Sequence, residues 1–198
     1  GLGGAVVLDG VCHHGVTGLS GEIGWLPTLA ADMPEGSRIQ PLGQLVSLYV
    51  LYEFMAAHGI TITAPADLLS LDLRGRALVS DWLRGAARYV ADAAIHIGLL
   101  IDPDAVLIGG RLPVRLLDEM LSYVSEYLAR DPRPAPAIHR AAGSEDATAL
   151  GAATMPLAEV LRLESYDPAQ RTRLPLTGLP PVIHPMPGWA DALRRESA

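Results

Sequence analysis

From Arg76 to Ile101 the apolar residues Leu78, Trp82, Ala86, Tyr89, Ala93, Ile97 and Leu100 recur at intervals of three or four. That period draws a stripe along one α-helix. Asp102-Pro103 stops it, because proline drives its predecessor out of the helical region. A second helix is predicted over 42–57, with Leu45, Leu48, Tyr49, Tyr52, Met55 and Ala56 on one face and His58-Gly59 as its C-terminal stop. A third begins at Pro113, where proline is tolerated, and presents Leu116, Leu117, Met120, Leu121, Val124 and Leu128. A short helix is expected around 65–71. A last one starts near Ser144 to Asp146 and runs through Leu150, Ala153, Leu157 and Leu161, kinked by Pro156.

Short apolar blocks lie between these periodic stretches. Gly4 to Leu8 and Val11 to His14, joined by Asp9-Gly10, read as a hairpin, since that dipeptide supplies the positive φ angles of a tight turn. Glycine-spaced residues 15–28 exclude a long helix, with a third short strand expected at Ile23 to Leu26 and a loop over 29–40. Ala105 to Ile108 is a strand ending in the glycine pair Gly109-Gly110. Another follows the proline-rich DPRPAP link, at Ala137 to Arg140.

Composition narrows the chemistry. The chain has 198 residues, 49% of them hydrophobic and 19% charged, which is ordinary for one folded domain with an appendage. Its formal charge of −7 argues against a nucleic-acid surface, which needs a concentrated basic stripe. All 15 basic residues are arginine, so a P-loop lysine, a Schiff base and a lysine general base are excluded. The single cysteine, Cys12, cannot close an internal disulfide, which suits a reducing, cytoplasmic compartment. The apolar run from Tyr89 to Ile101 is broken by Asp92 and His96 and is too short to span a bilayer, so no membrane partner is expected. Beyond about Glu164 the composition shifts, with six of the 16 prolines, and the segment 164–198 is expected to wrap the domain 1–163.

Four ordered segments, GLGGAVVLDG (1–10), GVTGLSGEIGWLP (15–27), DPDAVLIGGRL (102–112) and EDATALGAA (145–153), resemble the carboxyl-terminal half of the ROK family of bacterial sugar kinases and sugar-responsive repressors. The resemblance implies an α/β fold, the carboxyl-terminal lobe of the two-lobed actin/hexokinase-like (ribonuclease H-like) architecture, with a mixed sheet flanked by helices. It also places the phosphate loop and catalytic aspartate in an amino-terminal lobe outside this chain, so these residues alone are expected to transfer no phosphate and to include no catalytic residue. An opening on Gly1 to Gly4, a ligand-loop pattern with nothing before it, reads as the second half of something larger.

The family's GExGH motif contributes a glutamate and a histidine to the sugar site, and the histidine ligates zinc in many members. Glu22 matches the glutamate, while Trp25 stands at the histidine position. Indole offers no lone pair to a metal. The loop resembling the family's CxCGxxGC element, 32–43, contains neither cysteine nor histidine, and a further sugar-contacting glutamate falls on Gly43. No metal site and no zinc are therefore expected. Glu22 and Trp25 are the candidate substrate-binding residues, weighed against a solvated turn residue and a core-packing indole. Gly3, Gly4, Gly109 and Gly110 resemble positions near the nucleotide phosphates and adenine, at strand ends where α/β sheets bind ligands, although strand-to-helix turns use glycine on conformational grounds too. His13 and His14, adjacent on a strand, point to opposite faces and do not chelate one ion. His96 reads as a core or interface histidine, and Asp9 as a turn residue.

Three functions fit these observations. The first is the sugar-effector-binding and dimerisation lobe of a ROK-type transcriptional regulator, a homodimer that takes a small sugar or sugar phosphate and reaches DNA only through a domain outside this chain. The second is the lobe of an atypical ATP-dependent sugar kinase, the one case that calls for ATP and magnesium. The third is a scaffold that only dimerises.

Overall fold

The structure, a computed structural model, describes residues 1–30, 39–143, 146, 147 and 149–154. The expected start of the last helix at Ser144, its kink at Pro156 and the 164–198 tail lie outside the described residues, while residues 149–154 are helical.

Strands β1 (Val6–Leu8) and β2 (Val11–His13) pair antiparallel, with Leu8 opposite Val11. Asp9 (φ 52°) and Gly10 (φ 81°) both take positive φ, which gives a two-residue connection the twist its strands need. The third strand expected at Ile23 to Leu26 is instead a 3₁₀ turn over Ile23–Trp25. The strand comes just after it: β3 (Pro27–Leu29) pairs antiparallel with β4 (Ile39–Pro41), so the ends of the predicted 29–40 loop are ribbon.

The predicted 42–57 helix is two helices, α1 (Gly43–Val46) and α2 (Leu48–Ala57), separated by buried Ser47 in an extended conformation (ψ 154°). This break resets the helical phase. The buried residues of α2 are Leu51 and Met55, with Leu48 and Tyr52 partly buried, whereas Tyr49, expected inside, is 65% exposed and Ala56 is exposed. Gly59 (φ 78°) ends the helix as predicted. The short helix expected at 65–71 is a 3₁₀ turn, Pro65–Leu69, fastened by the Asp67 carboxylate, which accepts the Thr63 and Ala64 amides at 2.8 and 2.9 Å. These bonds hold the Asp67 carboxyl below its ordinary range, chiefly through the Ala64 amide.

Helix α3 (Leu73–Ile101) spans 29 residues, roughly 43 Å at the α-helical rise. It begins three residues before the predicted start because Asp72 caps it, accepting the Gly75 amide at 2.7 Å. It ends where Asp102 turns left-handed (φ 50°) ahead of Pro103. Strand β5 (Ala105–Ile108), helix α4 (Val114–Leu128) and parallel strand β6 (Ala137–Arg140) follow at the predicted places.

One hydrophobic cluster unites the elements from α2 onward. Val79, Leu83, Ala87, Ala91 and Ile95 of α3 share it with Leu117, Leu121, Val124 and Leu128 of α4, Ile138 of β6 and Leu51 of α2. The alanines let the two long helices approach closely, and a Cβ on Gly98 would lie 2.8 Å from Pro136. The predicted α4 face is the buried one, whereas Leu100, at the end of the predicted α3 stripe, is 82% exposed and His96 is exposed rather than in the core. Antiparallel and parallel pairing both occur, in three two-stranded pieces; no strand pairing joins β1 to β5 among the described residues.

Candidate functional site

The GEIGW segment is built on glycines that leave no room for side chains. A Cβ on Gly4 would lie 2.8 Å from the Gly21 carbonyl oxygen, one on Gly21 (φ 89°) would lie 2.7 Å from the Gly4 carbonyl oxygen, and one on Gly24 would strike the carbonyl oxygen of Leu2. Backbone lies directly on backbone. Residues 2–5 therefore register the 21–25 turn, and Gly4 has a packing reason to be glycine beside its resemblance to a nucleotide-site position. The turn closes on itself through the Trp25 amide to the Glu22 carbonyl at 3.2 Å and the Leu26 amide to the Ile23 carbonyl at 3.0 Å. The Leu42 amide, donating to the Leu26 carbonyl at 2.9 Å, ties it to the start of α1.

On this frame Gly24 is buried, while its neighbours Glu22 and Trp25 are exposed. Trp25 is 74% exposed, so its expected alternative role in core packing is overturned. A Cβ on Gly43 would meet the Gly24 carbonyl oxygen at 3.3 Å and the Leu2 Cβ at 3.7 Å, so a side chain where the resemblance places a second sugar-contacting glutamate would have to displace its neighbours. Two sequence-predicted positions, Glu22 and Trp25, thus stand exposed on one short turn, and Gly43 lies close against its Gly24.

The resemblance implies zinc beside this turn, and the residues present do not fit it. Trp25 has no lone pair to offer a metal. Among the described residues no group of three or more histidine, cysteine, aspartate or glutamate side chains gathers. His13, His14 and Cys12 lie exposed on or beside β2.

Gly109 and Gly110 follow β5 and are exposed, with open space around a Cβ on Gly110 (φ 128°). The positive φ supplies a conformational reason for that glycine. Nearby Tyr52 was read from the sequence only as a face residue. Its hydroxyl is buried with no hydrogen-bond partner among the described residues, and burial pushes its pKa up, opposed by the charge of Arg111. Period alone could not single it out, because the break at Ser47 sets which way α2 faces.

The ROK family profile matches residues 1–159. The fold is similar to the crystal structure of a ROK family protein from Streptococcus pneumoniae TIGR4 in complex with sucrose, with a TM-score of 0.63 and 23% identity over 80% of this chain and 55% of that one. It is also similar to the ROK hexokinase from Thermus thermophilus, with a TM-score of 0.56 and 28% identity over 81% of this chain and 55% of that one. The chain thus spans about half the length of these solved relatives, 55% of each. Comparison with curated protein sequences finds no significant match. With the profile covering most of its length and the described elements in the same arrangement, the chain belongs to the ROK family and has its actin/hexokinase-like fold.

Proposed function

We propose that this chain is the sugar-effector-binding and dimerisation lobe of a ROK-type transcriptional regulator. The observation that carries the reading is the open turn in which exposed Glu22 and exposed Trp25 stand on a backbone fixed by glycine contacts. A carboxylate accepts hydrogen bonds from sugar hydroxyls, and an indole face covers the apolar C–H face of a pyranose. Neither contact requires a metal, so the site works without zinc. A sensor tolerates altered contacts of this kind; a kinase, which must align one hydroxyl with the nucleotide, does not.

The remaining parts of the proposal follow from surface chemistry. Leu29 and Ile39, cross-strand partners on the β3–β4 ribbon, are 66% and 71% exposed, which favours a homodimer. The net charge of −7 favours DNA contact through a separate domain. No described helix is long and apolar enough to cross a membrane, in keeping with work in the cytoplasm.

A second reading, the lobe of an ATP-dependent sugar kinase, is favoured by the 28% identity to a ROK hexokinase. Calorimetric titration of the chain with a panel of hexoses and hexose phosphates, paired with an ADP-release assay on the protein carrying the amino-terminal lobe that both readings call for, separates the two. The regulator reading expects an isotherm with at least one sugar, weakened about tenfold or more in Glu22→Gln through loss of a charge-assisted hydrogen bond, and no sugar-dependent ADP release. Sugar-dependent ADP release would establish the kinase instead, and silence across the panel would leave a dimerisation scaffold.

A further inference from the structure

A cavity of about 60 Å³ opens between the 65–69 turn, the first turns of α3 and the start of α4, lined by Leu68, Leu69, Arg76, Val79, Arg115, Leu116 and Glu119. A water needs only about 10–15 Å³ of such space, so the cavity holds several waters or one small organic molecule. Two chemistries meet in it. Leu68, Leu69, Val79 and Leu116 form an apolar wall, while Arg76 and Arg115 are cationic lining residues from two different helices.

Neither arginine side chain makes an ion pair or hydrogen bond with another described residue. The one carboxylate in the lining is already occupied: Glu119 Oε1 accepts the Ser80 hydroxyl at 2.6 Å and the Tyr123 hydroxyl at 3.1 Å, and Arg84 lies over the Tyr123 ring at 4.2 Å. Glu119 is therefore held by hydroxyls on the α3–α4 seam rather than in an ion pair with either arginine, and its charge offsets part of theirs. Both helices begin here, and their N-terminal dipoles add to the positive potential. With two arginines and one carboxylate in its lining, the cavity offers a net positive rim over an apolar wall.

We infer that this cavity binds a short aliphatic carboxylate, with the carboxylate held by Arg76 and Arg115 and the alkyl chain against Leu68, Leu69, Val79 and Leu116. Guanidinium and carboxylate match in bidentate geometry. The wall disfavours a fully hydrated inorganic oxyanion, which would leave polar surface against leucine. None of these residues belongs to the Glu22–Trp25 turn, so the inference stands independently of the sugar site.

The test is NMR titration of the chain with sodium butyrate, sodium acetate, sodium phosphate and butan-1-ol, each against sodium chloride at matched ionic strength. Expected are saturable shifts of resonances around Val79 and Leu116 with butyrate, weaker ones with acetate, and none with butan-1-ol or chloride. Arg76→Gln and Arg115→Gln each weaken butyrate binding about tenfold. Glu119→Gln keeps an acceptor for Ser80 and Tyr123 but removes the opposing charge, and so tightens binding. Leu69→Asn erases the preference for butyrate over acetate. All four side chains are at least partly exposed, so the variants fold, which unchanged spectra away from the cavity confirm. Equal shifts with chloride, undiminished binding in Arg76→Gln and Arg115→Gln, or phosphate binding more tightly than butyrate would each overturn the assignment.

Discussion

The α3–α4 seam and the GEIGW turn are held together by opposite means. In the seam, Leu83, Leu121 and Val124 are fully buried, and cohesion comes from interdigitated side chains. In the turn, Gly4, Gly21, Gly24 and Gly43 hold backbone against backbone, and cohesion depends on side chains being absent. The first arrangement is tolerant in chemistry but sensitive to lost volume; the second is sensitive to any added atom. The candidate ligand-binding side chains, Glu22 and Trp25, stand on the second kind of frame, whose shape does not depend on a hydrophobic core of its own.

The largest effect expected is on the seam. Leu121→Ala removes a fully buried side chain and should cost about 2–5 kcal/mol of unfolding free energy, read by urea denaturation followed by circular dichroism. Next comes the turn: Gly24→Ala places a methyl on the Leu2 carbonyl and should cost about 1–3 kcal/mol. That loss should appear in hydrogen exchange as faster exchange at the Trp25 and Leu26 amides while the α3 and α4 amides stay protected. If Gly24→Ala instead lowers protection equally throughout, the two regions are one cooperative unit and the contrast between them fails.

Smaller effects sharpen the picture at the ends of the helical half. Asp72→Ala removes the cap on the Gly75 amide and should cost about 1 kcal/mol in thermal or chemical unfolding. Asp131 is held down to about 2 by hydrogen bonds from the Arg133 side chain and amide, and that arginine also reaches Asp92 at 2.9 Å. A carboxyl whose folded pKa lies below its ordinary 3.8 stabilises the fold at pH above that ordinary value, and the contribution fades as the pH falls towards about 2. The melting temperature of Asp131→Asn should therefore lie slightly below that of the unaltered chain at neutral pH and converge on it across that acid window. The effect is small because the pair is solvent-screened.

How much of this was legible in the sequence follows the same division. Where side-chain volume dictates structure, period sufficed best at α4, whose face stands where the pattern puts it, as does the end of α3 at Asp102. It failed where backbone geometry decided. Ser47 breaks a continuous apolar pattern into two helices and turns Tyr49 outward, a local ψ that no hydrophobic spacing encodes. The GEIGW motif was legible as chemistry, but the exposure of Trp25 was not. Large indoles are ordinarily well buried, and nothing in the spacing of the motif marks this one, 74% exposed, as different. The cavity rimmed by Arg76 and Arg115 was invisible for a similar reason, since it exists only once α3 and α4 pack and Glu119 is taken up by Ser80 and Tyr123.

The account turns on Glu22 and Trp25 forming a metal-free sugar-binding surface. Isothermal titration of the hexose panel into the chain, with and without a zinc chelator and repeated on Glu22→Gln, measures this directly. The predicted result is a sugar isotherm unchanged by the chelator and weakened about tenfold or more by the substitution. An isotherm that vanishes with the chelator, or one indifferent to Glu22→Gln, would contradict it.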